Sequence, residues 1–224
     1  MLFRRQETIN QRASFDPATS DRHFTAALAD AGEVYFLPPL IGINAGAAPG
    51  TSLSAVSNAK ETLKEDMEAG RIDVAIGLLP ELKTDIFQRR LFTQRYVCLF
   101  RKGHRLDGPE FDADTFARAD HIVVNSGRGH VMINGMVERV IGQRSAKLRT
   151  AHFSALPRIL QATDLVATVP EKIAACLAPA FDLTFTPHPL ELPSFQINLF
   201  WHAKANHEPG NRWLRTLIFD NFVE

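Results

Sequence analysis

At 224 residues, 45% of them hydrophobic and 22% charged, the chain is long enough for two α/β cores and too apolar to be disordered. Its 25 basic residues are balanced by 25 acidic ones, which disfavours direct nucleic-acid binding by these residues. Two cysteines, Cys98 and Cys176, each set in an apolar run, exclude a disulfide scaffold and read as small buried hydrophobes in a reducing cytoplasm. No run approaches the roughly 18 apolar residues of a membrane span. The first seven residues, MLFRRQE, lack the apolar core of a signal peptide, so a cytoplasmic protein with no membrane contact is expected.

In chain order, residues 1–17 are polar, end in Phe15-Asp16-Pro17 and read as a linker. A strand is expected at 23–29. A helix then runs through Tyr35, Leu37, Leu40 and Ile41, with Pro38 and Pro39 near its start, where a missing N–H is best tolerated. Residues 51–56 alternate as a strand. Asn58 is placed to cap a helix carrying Ala59, Leu63 and Met67 on one face, and Gly70 ends it. Strands follow at 72–77, 86–92 and 96–102. The same order then returns. Strand 121–125 leads through Ser126-Gly127-Arg128-Gly129 into a helix to about 140. Strand 147–152 precedes a helix at 154–162 with Pro157 in its first turn, and strand 165–169 precedes a helix at 171–177. Strands at 183–186 and 195–203 and an amphipathic C-terminal helix complete the chain.

Strand-helix-strand-helix-strand thus occurs twice, closed by Pro80 and then by Pro170. Such alternation implies mostly parallel sheets covered by helices, in two Rossmann-like lobes with a cleft between them. Ligands of open α/β sheets bind beyond the carboxyl ends of strands. That rule selects the loops 30–33, 77–80, 125–130 and 169–172.

Several stretches resemble the effector domain of LysR-type transcriptional regulators: Phe15-Asp16-Pro17, Ala29-Asp30 with Leu37-Pro38, and Leu63 through Gly70-Arg71-Ile72-Asp73-Val74-Ala75-Ile76-Gly77. Leu78 to Leu82, Gln88 to Phe92, Arg95 to Cys98 and Ile197 to Lys204 resemble the branch that senses salicylate, nitrotoluene breakdown products and related aromatics. The resemblance implies a periplasmic-binding-protein-like fold of type 2. Lobe I would take 18–89 and 195–224, and lobe II 90–194. It also implies a homodimer or homotetramer, and DNA contact only through an N-terminal winged helix-turn-helix absent from this chain. The alternative is an orphan solute-binding or sensing module of the same fold without DNA-binding activity.

The same resemblance nominates the effector-binding residues. Ser20 matches a serine that could bond an effector, or is a turn serine. Asp30 lies at a helix start whose N–H groups suit an anion, yet its own charge would repel a carboxylate, so it reads as a helix cap before it reads as an effector contact. Phe36, Phe92 and Phe200 match pocket aromatics, or are ordinary core rings. Gln94 stands where relatives have His or Asn, and an amide cannot carry a cation's charge. Arg128 sits between Gly127 and Gly129, which let backbone approach a ligand. Lys172 matches a position that is Arg in relatives and lacks the bidentate fork. Together, one or two cations and several rings suit a small aromatic or apolar acid.

No enzyme motif accompanies them. His121, His130 and His152 have no metal-ligand spacing. Ser126 lies outside a Gly-x-Ser-x-Gly elbow, no P-loop is present, and Gly127-x-Gly129 lacks the third glycine of a dinucleotide fingerprint. No catalysis, cofactor or metal is expected.

Overall fold

The computed structural model describes residues 14–108, 111–142 and 145–224, and at Arg128 the backbone alone. The first thirteen residues of the expected linker lie outside the described residues.

The first half runs β1 (His23–Leu28), α1 (Asp30–Ala47), β2 (Ser52–Ser57), α2 (Leu63–Glu68), β3 (Val74–Gly77) and β4 (Ile86–Gln94). The second half runs β5 (Tyr96–Arg101), α3 (Ala113–Ala117), β6 (Asp120–Val124), α4 (Arg128–Ile141), β7 (Ala146–Thr150), a 3-10 turn (Phe153–Ala155), α5 (Leu156–Ala162), β8 (Leu165–Pro170), α6 (Glu171–Ala180) and β9 (Leu183–Pro187). The chain returns in β10 (Phe195–His202) and α7 (Pro209–Phe222).

Two five-stranded sheets result, in the orders β2-β1-β3-β10-β4 and β7-β6-β8-β5-β9. Each is half parallel and half antiparallel: β2-β1-β3 and β7-β6-β8 pair parallel, while β10 and β5 pair antiparallel with both neighbours. The sheets are therefore less parallel than the alternation implies. The reason is the crossover. Each time the chain passes between lobes it inserts one strand, β5 or β10, antiparallel against the parallel trio. Strand β4 stays in the first sheet to its end, pairing Gln94 with Phe195, so the expected division at 89/90 cuts a continuous strand. The passage lies at Arg95.

Three local expectations are corrected. Pro38 and Pro39 lie well inside α1, not near its start. Both are exposed there, so the ring clashes and lost N–H bonds fall on the solvent side. Asn58 caps no helix. It is buried, and its Nδ2 donates to the Ile76 carbonyl 3.0 Å away. Cys98 is buried in β5, but Cys176 is exposed on α6.

The lobe I core joins Phe24, Phe36, Leu40, Leu91 and Phe92 to Leu214, Ile218 and Phe222 of α7. Lobe II is built on Leu99, Val124, Leu156, Leu160, Val169 and Ile173, and Ala31, Val34 and Tyr35 of α1 pack against it. The start of α1 therefore belongs to both lobes.

Candidate functional site

Between the lobes lies a cavity of about 570 Å³, within the range of small-ligand sites, roughly 300–1,000 Å³. It opens beyond the carboxyl ends of β1, β3, β6 and β8, where the doubled pattern places it. Residues from all four selected loops line it: Ala31 and Gly32, Gly77 and Leu79, Ser126 and Gly129, and Pro170 and Lys172.

Phe36 and Phe92 line the wall and stack at 6.0 Å between centroids, tilted by 27°. Tyr35 meets both edge-on, at 4.9 and 5.5 Å. Such contacts add about 0.5–1.5 kcal/mol each beyond burial. Gln94, 6% exposed, also lines the cavity, and one of its amide N–H groups is held by the Arg95 carbonyl at 2.5 Å. Lys172 lies beneath the rings, its Nζ 5.2 Å from the Phe92 centroid and 5.8 Å from that of Tyr35. Burial disfavours its charge, but Glu224 and Tyr35 more than offset this and raise its pKa.

Ser20 and Phe200 are not brought to the cavity. Ser20 precedes β1, whose six residues span about 20 Å, and the cavity lies beyond the other end of that strand. Its Oγ accepts the Arg22 N–H at 3.2 Å, which makes it a turn serine. Phe200 is 1% exposed among Ala27, Leu63 and Met67, behind the first sheet. Alternation along β10 explains this: Ile197, which does line the cavity, and Phe200 have opposite parity.

Asp30 does not line the cavity either. Its Oδ2 accepts the Phe153 N–H at 2.5 Å and its Oδ1 the Ser154 hydroxyl at 3.1 Å. A carboxylate at the start of lobe I's first helix thus clasps the 3-10 turn of lobe II. The side chain of Arg128 lies outside the described residues; its backbone opens α4. Gly127, at φ 70°, and Gly129 line the cavity and also let the lobes approach each other. A Cβ on Gly129 would meet Leu78 Cδ2 at 3.0 Å.

Among the lining residues that the sequence reading missed are Tyr35, Tyr96, Phe195 and His130. His130 is 4% exposed, and neither ring nitrogen has a hydrogen-bond partner among the described residues. It stacks on Tyr96 at 5.4 Å and meets Phe153 edge-on at 4.8 Å. Burial pushes its pKa down to about 3, so the imidazole is neutral, with one donor and one acceptor open. Metal spacing was the wrong test for it. Its place two residues into α4, beyond a strand end, was the usable signal.

Three helix N-termini also converge here, those of α1, α4 and α6, through Ala31 and Gly32, Gly127 and Gly129, and Lys172 and Ile173. Among the described residues none of the three has a capping side chain, nor have α2 and α5, whereas α3 and α7 are capped by Asp112 and Glu208; the first N–H of α6, that of Glu171, donates to the Arg95 carbonyl at 2.9 Å. Helix N-termini carry partial positive charge and unsatisfied N–H groups. The arrangement can hold a flat ring between aromatic faces and an anion against three helix starts and Lys172. Among the described residues no His, Cys, Asp or Glu cluster could hold a metal ion. No helix there is long and apolar enough to cross a membrane.

A two-lobed α/β fold with a cavity at the strand ends defines a small-molecule-binding module. Residues 19–222 match the model of the LysR substrate binding domain, and the chain belongs to that family: it is the effector-binding domain of a LysR-type transcriptional regulator. It is 46% identical over 220 residues to the HTH-type transcriptional activator NagR of a Ralstonia species, and 41% identical to NahR of Pseudomonas putida. Each alignment covers 98% of this chain and 73% of the relative. A transcriptional regulator of Vibrio parahaemolyticus superposes with a TM-score of 0.78 at 26% identity, over 92% of this chain and 96% of its own. The regulatory domain of MexT, a transcriptional activator of Pseudomonas aeruginosa, shares the fold with a TM-score of 0.75 at 24% identity, over 90% and 100%. The matched relatives are regulators, not enzymes, and the orphan alternative is not favoured.

Proposed function

We propose that the cavity binds a small aromatic carboxylate and that binding biases the relative geometry of the lobes. The observation that carries this reading is the meeting of three uncapped helix N-termini, Lys172 and the Tyr35–Phe36–Phe92 rings around one space. The ring would lie against the aromatic wall and the carboxylate against Lys172 and the helix starts. His130 would exchange hydrogen bonds with a polar substituent. A charge-assisted bond to Lys172 is worth roughly 1.5–3 kcal/mol. Phe36, Phe92, Gln94 and Lys172 are retained as effector-binding residues. Asp30 is reassigned to the clasp between lobes, Ser20 and Phe200 are set aside, and Arg128 is proposed from its position in the chain alone.

The two crossovers, at Arg95 and in 188–194, would act as the hinge. Only an effector with different affinity for two lobe arrangements can shift them. DNA would be reached through a helix-turn-helix outside these residues, in the cytoplasm. Lobe I would comprise 18–94 and 195–224, and lobe II 95–194. We read the assembly as antiparallel, α1 of one copy against a lobe II helix of the other. Exposed Ile41 on α1 and exposed Met132 and Val140 on α4 support this pairing. Sedimentation should give a dimer or tetramer, and a monomer at all concentrations would count against it.

Titration calorimetry with salicylate and benzoate tests the effector. One saturable site per chain is expected, weakened about tenfold or more in Lys172→Gln. Titrations without heat across a broad acid panel would sink the reading.

A further inference from the structure

Lys172 does not face the cavity as a free cation. Its ammonium is paired with the side-chain carboxylate of Glu224. The pair crosses between lobes. Lys172 stands in the first turn of α6, while Glu224 follows α7 and is held to lobe I by its own N–H, which donates to the Leu91 carbonyl at 3.0 Å. The two charges are unequally placed: the lysine side chain is 26% exposed and the glutamate 57%. A carboxylate of the protein already sits where an effector's carboxylate would find its counter-ion.

We propose that Glu224 is an internal competitor for the acid effector. The inference rests on the aromatic-acid reading above. Two carboxylates against one partly buried ammonium repel each other. The more exposed one yields at lower cost, because its charge returns to water. An entering acid therefore takes Lys172 by displacing Glu224. The exchange replaces a tie between lobes with a tie to the ligand and is felt at the end of α7. It also sharpens selectivity. A neutral aromatic can fill the space between the rings, but it leaves the Lys172–Glu224 tie in place. Only a ligand carrying its own anion completes the exchange.

The test titrates benzoate and its neutral isostere benzamide into the chain and into Glu224→Gln. Glu224 is exposed, and its substitution leaves the core intact. The variant is expected to bind benzoate about tenfold more tightly, a gain of roughly 1.4 kcal/mol, with benzamide affinity unchanged. Hydrogen exchange gives a second readout: benzoate should lower protection at the Glu224 amide of the unaltered chain, and benzamide should not. Equal benzoate affinity in both chains overturns the proposal and leaves the effector reading standing. So does an equal gain for benzamide, which would mark a looser cavity and not a lost competitor. If neither chain binds benzoate or any other acid, the effector reading fails and the proposal falls with it.

Discussion

The two lobes share one strand order, three parallel strands beside two antiparallel ones, yet they bring different chemistry to the cavity. Lobe I brings rings. Tyr35, Phe36, Phe92 and Phe222 interlock at centroid distances of 4.9 to 6.0 Å. Lobe II brings His130, Lys172 and the starts of α4 and α6 beside the rings of Tyr96 and Phe153, while Asn58, Lys60, Lys64 and Gln94 add polar groups from lobe I. It also holds the three histidines whose pKa is lowered, His121, His130 and His188, each chiefly by burial. Interlocked rings admit few packings and so fix the cavity's shape. Buried polar atoms without partners cost about 1–3 kcal/mol each, a cost that a ligand can offset. The difference is one of emphasis: the interlocked ring cluster lies on lobe I, and the buried histidines and Lys172 lie on lobe II.

The largest effect that could break this contrast is at the rings. Phe92→Ala and Phe200→Ala should each destabilise the chain by about 3–5 kcal/mol in denaturant unfolding, because both rings are fully buried. Only Phe92→Ala should also weaken benzoate binding by the folded protein. Equal weakening by Phe200→Ala would return that residue to the site.

Acid is the next lever, and its sign follows from the lowered pKa values. An unfolded histidine takes up a proton near pH 6.5. Folded His188 resists until about pH 4 and folded His130 until about pH 3. Stability is therefore full above pH 6.5 and falls as the pH drops towards 4 and then 3. His130→Phe removes a titrating group without removing a hydrogen bond, so it should flatten the slope between pH 6 and 4. An unchanged slope would take acid sensitivity away from His130 and leave it to His188 and His121.

The clasp between the lobes ranks third. Asp30→Ala leaves the Phe153 N–H without its partner and should cost about 1–3 kcal/mol. It should also change the response of lobe geometry to ligand, read by small-angle scattering with and without benzoate. Arg95→Ala is the smallest change. Its bond to Glu171 at 3.1 Å lies in water, with the arginine side chain 72% exposed, and loss should stay within about 0.5 kcal/mol in the same unfolding assay. A loss as large as that of Asp30→Ala would make Arg95 a structural tie at the hinge.

Strand positions were legible because burial on sheet faces writes itself into local pattern. The apolar run Val97-Cys98-Leu99-Phe100 could only be an inner strand, and Leu165 to Val169 likewise. The doubled order also located the cavity, since strand ends are defined by topology. What failed depended on contacts distant in sequence. Asn58 resembles a helix cap until Ile76, eighteen residues on, claims its amide. Asp30 has the look of a ligand contact until Phe153 arrives from the other lobe, 123 residues away. Likeness alone nominates Phe200, and its parity along β10, opposite to that of the lining residue Ile197, turns it to the other face of the sheet. His130 fits no metal-ligand spacing, and its burial without a partner among the described residues is a fact of packing that no spacing records.

The central claim is that one aromatic acid spans the boundary between lobes, its ring on lobe I and its charge on lobe II. The most direct measurement is a crystal structure with 4-iodobenzoate, with iodine located by its anomalous signal. The account places the ring against Phe36 and Phe92, the carboxylate on Lys172, and one site per chain. Iodine outside the inter-lobe cavity, or a carboxylate turned away from Lys172 while Glu224 keeps it, would contradict it.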